Sequence, residues 1–208
     1  MPPDVEDGVD LSAFDAVLFD MDGTLVDTEP LWHQAEIALF AEHDLSWSVE
    51  EALTLTGWNM PAVAQFMQQR GVDLPADQII ARLSGFVQDG IATDIPLHVA
   101  IVDLLARARA AGLPTAMVTM SPRALADAVL AALPAGSFDV TLAAEDVERG
   151  KPDPDPYLQA AAALGVDPAR CLAIEDSRPG IASAIAAGCV VRSVGPLAGT
   201  IDGAPALH

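Results

Sequence analysis

Short, nearly continuous apolar runs recur along the chain at 16–19, 114–118, 140–142, 171–174 and 190–194, with longer Ala- and Leu-rich segments between most of them. Apolar runs of this length without alternation read as strands buried on both faces, the habit of a parallel sheet. The intervening segments carry helix punctuation. Segment 99–111 ends at Gly112, 122–133 starts behind Ser121, 156–164 ends at Gly165 and 179–187 ends at Gly188. Proline just inside a start and glycine just past an end is the expected helix asymmetry. Strands alternating with helices in this way predict an α/β fold with parallel strands.

The alternation lapses from 30 to about 94, where no strand pattern occurs. Within it Leu31, Ala35, Ala38 and Leu39 share one helical face, Ser48 and Glu51 are spaced for a capping box, and 61–70 runs into Gly71. This stretch reads as an all-helical insertion after the first strand. Length agrees, since 208 residues hold about one and a half average domains, a core with a smaller insertion rather than two equal halves. The ends, 1–12 and 195–208, are rich in Pro, Gly and Asp and are expected to lie on the core or fray.

Composition narrows the function. Apolar residues make up 51% and charged residues 19%, which excludes a disordered chain. Ten Lys and Arg stand against 30 Asp and Glu, a formal charge of -20, so nucleic acid and anionic lipid would be repelled. No apolar run approaches the roughly 18 to 20 residues that cross a bilayer, and the first ten residues carry acids where a secretory signal needs a basic start. A cytoplasmic location is expected. Cys171 and Cys189, both in apolar surroundings, read as buried free thiols.

The densest chemistry is Phe19-Asp20-Met21-Asp22-Gly23-Thr24, directly after the first strand. In extended geometry residues two apart point the same way, so Asp20 and Asp22 can project together beyond the strand's carboxyl end, where open parallel sheets bind ligands. Paired carboxylates repel unless a cation neutralises them or one keeps a proton, and Mg²⁺ suits oxygen ligands and bridges to phosphate. The competing reading is a turn in which the aspartates cap backbone N–H groups. A calcium loop is excluded by spacing, because its glycine is sixth and Gly23 would be fourth.

Later strand ends supply matching pieces. Thr119 closes the second strand before a helix whose free N–H groups suit an anion, while Ser121, followed by Pro122, reads as an ordinary N-cap. Lys151 is the sole lysine, the other nine basic residues being arginines, and it stands in the turn Gly150-Lys151-Pro152-Asp153-Pro154. A compact point charge there can bind phosphate and shield a nucleophile from it. Glu175-Asp176 ends the fourth strand and offers further metal oxygens or helix-capping acids.

These residues, with the run from Phe19 through Thr24 and on to Pro30, resemble the haloacid dehalogenase-like hydrolases, specifically the β-phosphoglucomutase and phosphoglycolate phosphatase-like branch with a helical cap. The resemblance covers nearly the whole chain. It implies a Rossmann-like core of sheet order 5-4-1-2-3 from residues 1–29 and 96–208, and a mobile cap from 30–95. It implies Asp20 as nucleophile and metal ligand, with Asp22 as general acid and base that also gives a backbone carbonyl to the metal. Thr119 and Lys151 would hold the transferring phosphate, Met120 and Asn59 would add substrate contacts, and Glu175 and Asp176 would complete the Mg²⁺ site. The expected partner is a small phosphorylated metabolite, on a monomer or weak dimer.

The pattern departs from β-phosphoglucomutases in the cap. Trp32 stands where they carry His, and Asn59 or Met60 stands near their Arg for the distal phosphate. The reading is therefore an Mg²⁺-dependent phosphatase. A sugar phosphomutase is the first alternative and a non-catalytic binding protein the second. Asp22 argues against carbon–halogen chemistry, because dehalogenases of the superfamily lack that aspartate.

Overall fold

The computed structural model describes residues 9–197 except Gly57 and Asp94. Most of the two end segments, 1–12 and 195–208, expected to lie on the core or fray, is outside the described residues. Chain contacts divide the molecule into two compact units, one taking the chain up to Asp27 and again from Leu97, the other Thr28–Pro96.

The first unit is built on five parallel strands, β1 (Ala16–Phe19), β2 (Thr115–Val118), β3 (Val140–Leu142), β4 (Cys171–Glu175) and β5 (Val190–Ser193). Their order β3-β2-β1-β4-β5 is the expected 5-4-1-2-3 read from the other edge. Complete burial holds for β1, β2 and β4, whose every residue is buried. It does not hold for the edge strands. All three residues of β3 are half-buried, and in β5 only Val191 is buried. An edge strand has a neighbour on one side only, which local hydrophobicity does not reveal.

Among the described residues there are eight α-helices: α1 (Glu29–Glu42), α2 (Val49–Ala52), α3 (Met60–Gln69), α4 (Ala76–Thr93), α5 (Val99–Ala110), α6 (Arg123–Ala132), α7 (Asp155–Leu164) and α8 (Arg178–Ala186). The last four belong to the sheet unit and match the four segments read from Pro and Gly punctuation to within a residue or two. Gly165 closes α7 in the left-handed conformation, φ 72°, which an L side chain adopts only at a cost. Ala160 and Ala161 of α7 and Ala184 of α8 are fully buried with Ala16, Ala116 and Ala173, small residues that let helices lie close to the sheet.

The second unit holds α1 to α4 and, among the described residues, no strand. The Ser48–Glu51 capping box is present in both directions. The long α4 buries Ile79, Leu83, Val87 and Ile91, one every fourth position, as a single-stripe amphipathic helix should. In α1 the buried set is Ala35, Glu36, Leu39 and Phe40, whereas Leu31 and Ala38 are only half-buried. The buried face is thus rotated from the expected one and takes in a carboxyl group. Phe40 stacks on Trp47 at 4.6 Å, and the Trp47 indole N–H donates to Glu36 Oε2 at 3.3 Å.

No helix among the described residues is long and apolar enough to cross a membrane. Cys171 and Cys189 are buried free thiols, and burial pushes them up to about 11 and about 12, so both stay protonated and unreactive at neutral pH.

Candidate active site

The site grows from the carboxyl ends of β1, β2 and β4. Pairing of Phe19 with Ile174 sets the next residues, Asp20 and Glu175, side by side, and Asp20 N–H extends the ladder by donating to Ile174 O at 3.0 Å. Beyond Asp20 the chain turns sharply, with the Met21 carbonyl accepting from Thr24, Leu25 and Val26 N–H. Gly23 makes this turn possible. Its φ is 76°, and a Cβ there would come within 2.0 Å of Asp176 Oδ2. The same turn brings the buried Thr24 hydroxyl to Asp176 Oδ1 at 3.4 Å.

Lys151 arrives from the loop before α7. Its Nζ donates to Asp20 Oδ1 at 2.6 Å, Glu175 Oε1 at 2.6 Å and the Val118 carbonyl at 2.9 Å. The side chain is 5% exposed, so these are interior charges, for which an unpaired group would be costly. Burial pulls the ammonium down, but the Asp20 and Glu175 carboxylates outweigh it and hold Lys151 above its ordinary range. Asp20 moves up, through burial first and the Glu175 charge second, against the pull of Lys151.

Oxygens of Asp20, Glu175 and Asp176 all lie within 4.8 Å of one another. One ammonium cannot balance three carboxylates in a largely buried space, and a hard oxygen-only donor set of this size fits a small divalent cation.

Asp22 takes different partners from Asp20. Its Oδ2 accepts from the Ser121 hydroxyl at 2.7 Å and the Thr119 hydroxyl at 3.1 Å, while Thr119 Oγ1 accepts from Ser121 N–H at 2.9 Å. The sequence predicts Ser121 as the N-cap of the helix that follows, and the structure corrects this. The N-cap of α6 is Pro122, and the Ser121 side chain is buried against Asp22.

The residues read from the strand ends, Asp20, Asp22, Thr119, Lys151, Glu175 and Asp176, thus come together in the sheet unit. Met120 Sδ rests on Gly150, close enough that a Cβ there would meet it at 2.7 Å. Asn59 belongs to the other unit, where its Oδ1 caps α3 by accepting from Ala62 N–H at 2.9 Å. Arg123 pairs with Asp146 and Asp127.

Three participants escape a reading by motif. Ser121 is one. The Tyr157 hydroxyl, fully buried, donates to Glu175 Oε1 at 2.7 Å. Ser177 caps α8 through Gly180 N–H and also donates its hydroxyl to Glu175 Oε2 at 3.1 Å. Tyr157 had a signal available: it is the only tyrosine, six positions after the only lysine.

A family profile described as haloacid dehalogenase-like hydrolase matches residues 14–188. The chain is 40% identical over 186 residues to protein CbbY of Rhodobacter capsulatus, covering 83% of this chain and 82% of that one. It is 37% identical over 189 residues to hexitol phosphatase A of Escherichia coli K12, covering 88% and 84%. The crystal structure of CbbY from Rhodobacter sphaeroides in complex with phosphate superimposes with a TM-score of 0.78 at 33% identity, over 92% of this chain and 91% of that one. With the Asp20 turn, the lysine and the acidic pair brought together in a 3-2-1-4-5 sheet unit, the chain belongs to the haloacid dehalogenase-like hydrolases.

Proposed function

We propose that this protein is an Mg²⁺-dependent phosphatase that hydrolyses a small phosphorylated metabolite, a sugar phosphate or a phosphoglycolate-like acid, through a phosphoaspartyl intermediate. The observation that carries the reading is the contact of Lys151 Nζ with Asp20 Oδ1, 2.6 Å, beside the carboxylate cluster of Asp20, Glu175 and Asp176. Phosphatases among the relatives support the reaction class.

Asp20, Glu175 and Asp176 would hold Mg²⁺, with the Asp22 backbone carbonyl as a further ligand. When bound, the ion neutralises phosphate oxygens and the carboxylate cluster together. The Asp20 carboxylate attacks phosphorus in line, and Lys151 offsets the repulsion between two anions while fixing the attacking group. Thr119, at the end of β2, donates to a phosphate oxygen. Asp22 gives a proton to the departing alkoxide and then takes one from the water that cleaves the aspartyl phosphate, a role that typically contributes about 10²–10⁴-fold. The Ser121 hydroxyl, 2.7 Å from Asp22 Oδ2, keeps the proton carrier in place when Thr119 turns its single hydroxyl proton from Asp22 to phosphate.

The alternative of a phosphomutase needs a cation free to grip a second phosphate. Residues 28–96 contain two arginines, and both are occupied. Arg70 pairs with Glu51 at 2.8 Å and lies over the Trp47 and Phe66 rings, and Arg82 pairs with Glu42. This favours water as the acceptor.

The test is phosphate release across a panel of phosphorylated sugars and acids with Mg²⁺ present, using Asp20→Asn as control. Turnover that survives Asp20→Asn would refute the nucleophile. On β-glucose 1-phosphate with catalytic 1,6-bisphosphate, isomer formation far outrunning phosphate release would establish the mutase instead.

A further inference from the structure

The chain contains one lysine and one tyrosine, and the fold places both on the same carboxylate oxygen. Glu175 Oε1 accepts from Lys151 Nζ at 2.6 Å and from the Tyr157 hydroxyl at 2.7 Å, and the Tyr157 ring lies 5.3 Å from Nζ. Tyr157 is fully buried. Phenylalanine would fill the same space without the cost of burying a hydroxyl, so the O–H is the part that calls for explanation.

The ammonium group has three protons, and all three are committed, to Asp20, Glu175 and the Val118 carbonyl. Donation to a phosphate oxygen therefore requires that one of these bonds be given up. Surrendering the bond to Glu175 would leave an anionic carboxylate in the interior short of a donor. The remaining donors are already in place, the Ser177 hydroxyl and N–H on Oε2 and, on the oxygen that Lys151 would leave, the Tyr157 hydroxyl alone.

We infer that Tyr157 is a positioning residue that keeps Glu175 hydrogen-bonded when Lys151 turns a proton toward phosphate, and so governs how tightly the site holds a phosphate group. Without the hydroxyl, Glu175 retains Lys151, and phosphate is bound less well. The inference rests on the phosphatase reading for its substrate class, but not for its test, which uses inorganic phosphate as the probe.

Two measurements with Mg²⁺ present decide it. In Tyr157→Phe the inhibition constant for inorganic phosphate should rise about tenfold, the worth of one hydrogen bond to a charged group, with KM rising in step. A residue that merely packs would leave the constant where it is. Because Tyr157 is the only tyrosine, protein grown on 3-fluorotyrosine carries a single ¹⁹F resonance, which reads the site even if Tyr157→Phe fails to fold. That resonance should shift on adding phosphate and should not respond in Lys151→Met. An unchanged inhibition constant in folded Tyr157→Phe, or a fluorine line unmoved by saturating phosphate in active protein, would overturn the inference. An inactive wild type whose fluorine line still moves with phosphate would remove the phosphatase reading and leave the role of Tyr157 standing.

Discussion

Gly180→Ala sets intrinsic helix propensity against the geometry of the site. Gly180 lies in the first turn of α8, where alanine is favoured over glycine by up to about 1 kcal/mol. The structure reverses that sign. A Cβ at position 180 would stand 1.9, 2.0 and 2.1 Å from the Glu175 carboxyl atoms, where ordinary contact begins at 3.4 Å. The carboxylate would have to retreat by about 1.4 Å, and it has nowhere to go, being fully buried and held by Lys151, Tyr157 and Ser177. Overpacking costs about 1–3 kcal/mol and a lost hydrogen bond to a charged group about 1.5–3 kcal/mol, so a net destabilisation of about 3 kcal/mol is expected after the gain in propensity. Since the displaced group positions Lys151, phosphate release should fall at least about 10²-fold. Gly85→Ala is the control. It lies inside α4 with nothing within 4 Å of the added Cβ, so it should stabilise by about 0.5–1 kcal/mol and leave activity alone. Urea unfolding and phosphate release measure both. Adding Glu175→Asp, which shortens the side chain by about one bond length of 1.5 Å, should recover part of the stability lost in Gly180→Ala. Gly180→Ala with wild-type stability and turnover would refute the reasoning.

Glu36, buried in α1 and pushed up to about 7 by burial despite the Trp47 hydrogen bond, binds its proton more tightly folded than unfolded. Its contribution is therefore fully present below its unfolded value of 4.5 and is lost as pH rises through about 7. Glu36→Gln should accordingly raise Tm at pH 8 and lose that advantage by pH 5, and a gain of equal size at both pH values would show that the carboxyl does not titrate there. Ser121→Ala removes the 2.7 Å donor to Asp22 and should slow an alkyl phosphate more than an aryl phosphate, because only the poorer leaving group depends on proton delivery. Equal losses on both would withdraw the link from Ser121 to proton transfer. Chelation should abolish turnover and Mg²⁺ should restore it, whereas Ca²⁺, with a looser and larger shell, should not; full activity in excess EDTA would remove the metal from the mechanism.

Local pattern along the chain determined the strands, most of the helices and the chemistry at each strand end. Hydrophobic runs and Pro or Gly punctuation act over a few residues: Asp20, Asp22, Thr119, Glu175 and Asp176 stand at or just beyond such a run, and Lys151 stands in the Gly- and Pro-punctuated turn before α7. A helical insertion was legible for the same reason, from the lapse of strand pattern after residue 30. Tertiary structure decided the rest. Which strands lie at the edge depends on the pairing partners of β3 and β5, and that partnership is not written in either strand's own composition. Ser121 looks like a cap in sequence because its neighbour is Pro122, and becomes a site residue because Asp22, 99 positions earlier, is folded against it. Glu36 sits on what reads as a polar position of α1 until Trp47 covers it. Tyr157 belongs to no motif, and only the meeting of β4 with α7 turns its hydroxyl onto Glu175, 18 residues ahead. Lys151 and Asp20 are 131 positions apart, and their 2.6 Å contact exists because β1 lies between β2 and β4 in the sheet. Local pattern is set by short-range sterics and burial, whereas a buried polar group takes whatever partner the completed fold brings within hydrogen-bonding distance.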